Sequence, residues 1–428
     1  MAAKKKPVRR APGVKAATAP RAPAQDPARP AARATSVMLS SSSHSGRGAN
    51  NFDLLRLLAA AFVVFGHCFL VVADEAPLLN AEAFADWGNL GVVMFFAISG
   101  FLVSRSWVSD PRVIAFGVKR FLRIMPALVV ALLVTALILG PLVTSKGFSE
   151  YLQDPFTKVF ILNNSVMWTS QGLPGVFTDN PIQLVNLPLW TLAPEVKCYI
   201  LVALLGSLGF YRRWSGAVVV AIGTLLSLLL IEPLRNAIPG GDRAVAMMFN
   251  TQATAREVDA VAGGAAFEYA QVFAAFFLGA ALFTLRRFVP LRWDLFGAAL
   301  VVVAVASFSE PHTGRVALTM LIPYLVLVLA YRTHDLVSLP SWMGDYSYGI
   351  YIFAFPIQQA VVHWVDPGNG WVVLLITAPV VTALAALSWR FVEAPALTFK
   401  QRIIPAFDDA ADAGRHPDAR EALAPAGS

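Results

Sequence analysis

The sequence predicts an all-α fold: a polytopic transmembrane helical bundle of about ten spanning helices, with both termini in the cytoplasm. Three observations lead there. The 428 residues are 57% hydrophobic and only 14% charged, with a mean hydropathy of +0.60. Soluble domains average about 45–50% apolar and about 25% charged residues, so too few charges are present to cover a soluble body of this size. The charges are also clustered, and the apolar runs between clusters approach the roughly 20 residues that a bilayer-spanning helix needs. Finally, the Lys and Arg residues concentrate on alternate connections, which sets the orientation.

Taken in order, residues 1–50 carry ten Lys/Arg against a single acid, Asp26, although the whole chain is only +7. The basic charge therefore belongs to one Ala-, Pro- and Ser-rich stretch without hydrophobic periodicity. That composition predicts a disordered cytoplasmic tail lying near anionic lipid, and no nucleic-acid partner. The membrane domain is expected over 51–399. Its candidate spans lie at about 54–73, 89–107, 124–144, 189–208, 216–234, 267–285, 295–311, 316–331, 347–364 and 371–390. With the basic tail inside, the cytoplasmic connections hold Lys119, Arg120 and Arg123, then Arg212 and Arg213, then Arg286, Arg287 and Arg292. The short connections 74–88 and 365–370 on the opposite side contain no Lys or Arg. A short disordered cytoplasmic tail is expected over 400–428. The chain's two cysteines, Cys68 and Cys198, both fall in spans, so neither a disulfide framework nor a metal cluster is expected.

The long outer connection 145–188 contains Asn163, Asn164, Trp168, Gln171, Asn180, Gln183 and Asn186. Aromatic faces and amides are what a sugar-binding surface uses. They are equally what a polar loop with an interfacial Trp contains.

The sharpest chemical signal is in the first span, where Arg56 is followed after ten residues by His67. Eleven helical positions make about three turns, so both side chains leave nearly the same face, about 16 Å apart along the axis. Ionisable groups at membrane depth suggest a functional site. Arg56 can meet phosphates of a polyanionic donor such as coenzyme A, whose extended arm can carry a thioester to His67. Imidazole can take a proton from an attacking hydroxyl. The alternative is a topology-anchoring arginine and an interhelical hydrogen-bonding histidine. Arg120 and Arg123 share a face at the expected start of the third span, where a helix N-terminus would also favour an anion. Glu195 and Tyr199 share a face of the fourth span, with Trp190 just before them. Glu195 can act as acid or base, orient His67, or pair with a basic side chain. The segment Phe95 to Leu102 offers Ala97 and Gly100 for close helix approach and Ser99 for a cross-helix bond. The segments 344–356 and 389–395 read mainly as structural.

In this order, these segments resemble the acyltransferase type 3 family of integral membrane proteins. The matching residues are Phe52, Asp53, Arg56 and His67; Phe95 to Phe101; Arg120, Arg123 and Pro126; Trp190, Thr191, Leu192, Glu195 and Tyr199; Ser347, Tyr348, Tyr351 and Pro356; and Phe391, Val392, Glu393 and Pro395. The resemblance implies a ten-helix fold and acyl transfer, usually from acyl-coenzyme A, to surface polysaccharides, lipid-linked sugars or glycolipids. It implies acetyl-CoA as donor, Arg56 and His67 as functional residues, and a multi-pass location in a bacterial inner membrane. With the residue-level reading, His67 and Glu195 become the catalytic candidates. Arg56, Arg120 and Arg123 become the donor-binding candidates, and Tyr199 and Trp190 the substrate-binding ones. No metal is implied, and a homo-oligomer is left open. Two departures stand out: Ala354 occupies a place where family members often have His, and the acid pair common near the fourth helix is reduced to Glu195. A transporter or flippase that moves a sugar or acyl species without chemistry is the rival reading, since buried ionisable groups suit both.

Overall fold

A computed structural model describes residues 37–38, 50–77, 86–212, 222, 255–309, 311–340, 343–399 and 403. Helices cover nine of the ten expected spans, and the fifth, at about 216–234, lies outside the described residues except for Ile222, as does most of both tails. The helices are α1 Phe52–Leu70, α2 Trp87–Ser109, α3 Val113–Val143 with a π-helical turn at Thr135–Leu139, α4 Phe148–Gln153 and α5 Pro155–Ser165. Next come α6 Leu192–Ser207, entered through a 3-10 turn at Leu187–Thr191, α7 Ala255–Thr284, α8 Trp293–Ser309 and α9 Pro311–Arg332. Last are α10 Ser347–Val365 and α11 Gly370–Ser388, which runs on through a π-helical turn at Trp389–Glu393. A two-residue antiparallel pairing of Val37–Met38 with Pro290–Leu291 is the extended structure among them. By length and composition, seven helices among the described residues can cross a membrane. α10 has the length, but Gln358, Gln359 and His363 lower its hydropathy.

The bundle is organised around α2, which packs against α7 on one side and α1 on the other. Small residues make this possible, as the α2 sequence suggested. A Cβ added at Gly100 would stand 1.8 Å from the Phe276 carbonyl oxygen of α7, and one at Gly279 would stand 2.2 Å from that of Ala97. On the other side, a Cβ at Gly91 would meet the Ala59 carbonyl of α1 at 2.4 Å. Gly100→Ala is therefore expected to cost about 1–3 kcal/mol, the usual range for overpacking. Gly117→Ala, whose Cβ meets nothing within 4 Å, is the matched control and should be neutral or stabilising by up to about 1 kcal/mol. Thermal unfolding of both variants in one detergent checks this; equal midpoints would refute the close approach.

α3 begins eleven residues before the expected span, at Val113 rather than 124. Lys and Arg interrupt hydropathy but are good helix formers, so the helix runs through its charged segment. Arg120 and Arg123 consequently sit two to three turns inside α3, and the helix N-terminus is not part of their site. The turn before α3 is clasped by Asp110, which accepts from Arg112 at 2.7 Å and Lys119 at 2.6 Å. The hydrogen bond from Arg112, followed by the Lys119 contacts, holds the Asp110 carboxyl down at about 2.

In the connection 145–188, where the sequence left a sugar surface and a polar loop open, most of the amides bond within the protein. Buried Asn164 donates to the carbonyls of Phe160 and Ser170, both at 2.8 Å. Asn180 donates to the Gln359 side chain at 2.9 Å, Gln183 to the Thr178 carbonyl at 2.8 Å and Gln171 to that of Leu187 at 3.1 Å. Asn186 donates to the Ile352 carbonyl at 3.0 Å. Pro356 has no N–H for that carbonyl four residues earlier, so the proline in α10 creates the acceptor that Asn186 uses. Buried Asn164, Asn180 and Asn186 are thus spent on internal satisfaction, as buried polar groups must be, while Gln171 and Gln183 bond locally nearer the surface.

Candidate active site

Five of the seven candidate residues converge on one pocket. Arg56 of α1, Arg120 and Arg123 of α3, and Glu195 and Tyr199 of α6 line it together, with aromatic walls from Phe95, Phe96, Tyr348 and Tyr351. We call this the arginine pocket. Asp345, just before α10, holds two of the guanidinium groups. One of its oxygens accepts from Arg123 at 2.6 Å and Arg56 at 3.4 Å. The other accepts from the Ser347 hydroxyl at 2.5 Å and the Ser347 N–H at 3.3 Å. Glu393 approaches Arg123 at 3.9 Å and accepts from Ser388 at 3.0 Å. The two acids are brought together because Gly344 lies against the Trp389 indole: a Cβ there would stand 2.0 Å from Nε1.

Arg120 is held differently. It forms no ion pair with a carboxylate among the described residues, and its Nε has no hydrogen-bond partner. Its guanidinium lies 5.9 Å from the Phe116 ring centre and 5.7 Å from that of Tyr199. Two aromatic faces thus orient a buried cation without neutralising it. Glu195 accepts from the Tyr199 hydroxyl at 2.5 Å and from Ser99 of α2 at 3.2 Å.

His67 and Trp190 lie elsewhere, in a second pocket of about 400 Å³ that also includes Asp74, Glu75, Asp86 and Glu268. That size falls within the roughly 300–1,000 Å³ of small-molecule sites. The His67 ring meets Phe355 edge-on, with centroids 5.2 Å apart, and its Nδ1 is buried without a partner. Glu195 therefore does not orient His67, one of the roles open to it from sequence. Trp190 packs on Tyr269 at 5.3 Å. Val92 and Tyr351 line both pockets, so the two cavities are back to back across these side chains. The Tyr351 hydroxyl is fixed by Thr191 at 2.7 Å. Ala354 is buried in an apolar cluster with Val64, Cys68 and Phe355. Among the described residues, no group of three His, Cys, Asp or Glu could hold a metal.

The sequence reading missed Asp345, Glu393, Asp86 and Glu268. Asp345 and Glu393 lay in segments read as structural. Their significance arises from Arg123, which is 222 residues from Asp345 in the chain. Asp86 carried a local signal, as an N-cap whose side chain accepts from Asn89 N at 2.7 Å.

The profile of the acyltransferase domain, type 3, matches residues 50–390. The chain belongs to the acyltransferase type 3 family. The helical membrane body described above is thus that of a membrane acyltransferase. Among curated relatives of this acyltransferase, Nodulation protein 10 of Rhizobium leguminosarum bv. viciae is 31% identical over 387 residues, covering 85% of this chain and 97% of that protein. The O-acetyl transferase of Shigella phage Sf6 is 28% identical over 356 residues, covering 82% and 96%. The peptidoglycan O-acetyltransferase OatA of Listeria monocytogenes serovar 1/2a is 24% identical over 371 residues, covering 76% of this chain and 54% of that protein. No solved structure matches the acyltransferase significantly.

Proposed function

We propose that the protein moves an acyl group, in the first instance acetyl, from acyl-coenzyme A to a hydroxyl of a carbohydrate or glycolipid in a bacterial inner membrane. The observation that carries this reading is the pair of back-to-back pockets strung along α1. One is cationic and contains an unneutralised Arg120; the other contains a histidine with an unpartnered ring nitrogen. Donor phosphates sit at Arg120, with Arg56 and Arg123 beside it, at the cytoplasmic end. The pantetheine arm runs between the aromatic walls towards Tyr351 and Val92. The roughly 16 Å rise from Arg56 to His67 suits such an arm. His67 takes the proton of the acceptor hydroxyl as the oxygen attacks the thioester carbonyl. Collapse of the tetrahedral intermediate breaks the C–S bond, and the imidazolium returns its proton to the departing thiolate. Glu195, which accepts from Tyr199 and Ser99, acts on the donor side by fixing the Tyr199 ring against Arg120 and moves no proton in this reaction. Trp190 offers a face to the sugar. The names of the phage and Listeria relatives support O-acetylation.

The test is incubation of purified protein with labelled acetyl-coenzyme A, following thioester loss with and without a sugar acceptor. Arg120→Gln is expected to weaken coenzyme A binding roughly ten- to hundredfold, the worth of a charge-assisted phosphate contact. Unchanged affinity by calorimetry would remove Arg120 from the donor site.

A further inference from the structure

The two pockets carry opposite charge. Three arginines and one glutamate line the arginine pocket. Four carboxylates, Asp74, Glu75, Asp86 and Glu268, line the histidine pocket, and among the described residues no Lys or Arg does. Two of the four are engaged with backbone. Asp74 accepts from Glu75 N at 2.9 Å and Gly370 N at 3.3 Å, and Asp86 caps α2. Glu268 is different. It accepts no hydrogen bond and makes no ion pair among the described residues, yet it is flanked on α7 by Phe267 and Tyr269, both buried. Its backbone is thereby fixed while its carboxylate stays open to the pocket. Asp86 and Arg315 are the charged groups near enough to act on it, and Arg315 does not line the cavity. His67 lines the same cavity, with its Nδ1 buried and without a hydrogen-bond partner.

We infer that the histidine pocket selects a neutral or amine-bearing sugar and rejects uronates, phosphosugars and other acidic acceptors, with Glu268 as the specificity-determining residue. The inference rests on the proposed acyl transfer and names its acceptor class. An ionised carboxylate accepts only, with two oxygens suited to a vicinal pair of hydroxyls or to an ammonium group. A second negative charge brought among four carboxylates meets no Lys or Arg in the cavity lining among the described residues. Asp74, Glu75 and Glu268 are exposed, so their repulsion of a like charge acts at low ionic strength and is screened by salt. Glu268 does no bond-making; it positions the acceptor so that one hydroxyl faces His67.

The experiment uses the full chain in detergent with three matched octyl glycosides: glucoside, glucosaminide and glucuronide. Direct binding and transfer from labelled acetyl-coenzyme A are measured side by side. The glucoside and glucosaminide are expected to bind at least tenfold more tightly than the glucuronide at low salt, and high salt should narrow the gap. Glu268→Gln is expected to raise KM for the glucoside about tenfold, with kcat and the KM for acetyl-coenzyme A little changed. It should also shrink the discrimination against the glucuronide. Glucuronide binding equal to or tighter than glucoside binding would overturn the inference, as would a Glu268→Gln protein with unaltered preference, or no binding of the neutral and amine glycosides. The expected binding order without any transfer would leave the inference standing and defeat the acyl-transfer reading. Transfer with a preference for the glucuronide would do the reverse.

Discussion

His67→Gln is expected to lower acyl transfer by 10²–10⁴-fold, the usual worth of general-base catalysis, while the protein inserts and folds normally. Glutamine keeps hydrogen-bonding capacity but cannot accept a proton at neutral pH. The structure sharpens the contrast with a packing role. His67 Nδ1 has no partner, and the ring meets Phe355 through an edge-on contact. Little hydrogen bonding is therefore at stake at that nitrogen, and the thermal midpoint should move by no more than about 1 kcal/mol of stability, as for an ordinary interhelical polar contact. Coenzyme A affinity should be unchanged, because Arg56, in the proposed donor site, lies about 16 Å away along α1. Single-turnover transfer, binding calorimetry and thermal unfolding on one preparation separate these readings. Near-normal transfer by a well-folded His67→Gln protein would refute the catalytic assignment.

Asp345→Asn is expected to be the most destabilising single change at the site. Asp345 is 8% exposed and accepts from both Arg56 and Arg123. Removing one partner of a buried pair leaves the other charge uncompensated, which typically costs about 3–5 kcal/mol. Here two guanidinium groups would face each other, although Glu393 at 3.9 Å still offsets part of the charge on Arg123. The lower half of that range is therefore expected. A second substitution, Arg123→Met, should recover part of the loss, because it removes the stranded cation. Saturating coenzyme A should also raise the midpoint of Asp345→Asn, since donor phosphates replace the lost carboxylate. A melting temperature equal to the parent's would show that Asp345 does not neutralise the arginines.

The helical membrane class was legible because hydropathy is a property of each segment alone. A bilayer forces every span to satisfy its backbone internally, so an apolar run of sufficient length has few alternatives to helix. That Arg56 and His67 lie on one helix was legible for a related reason, since helical periodicity relates residues on one element without reference to any other, although the two side chains line different pockets. The close packing at Gly100 and the cross-helix bond of Ser99 were visible at the level of residue type, with partners unknown. The start of α3 was misplaced because Lys119, Arg120 and Arg123 depress hydropathy without opposing helix formation. For the amides of 145–188 the sequence left a sugar-binding surface and a polar loop both open, because side-chain chemistry says what can be bonded, not what is.

By itself, then, the sequence determined the class of the protein, the face shared by Arg56 and His67, and the set of side chains able to do chemistry. Only the tertiary structure decided which of them meet. It separated Glu195 from His67, tied Arg56 and Arg123 to Asp345, left Arg120 unneutralised, and put an open Glu268 in the cavity of His67. The physical reason is range. Periodicity and hydropathy act within one helix, whereas charge compensation and cavity lining join residues as far apart as Arg56 and Asp345, separated by 289 positions, and exist only once the helices have packed.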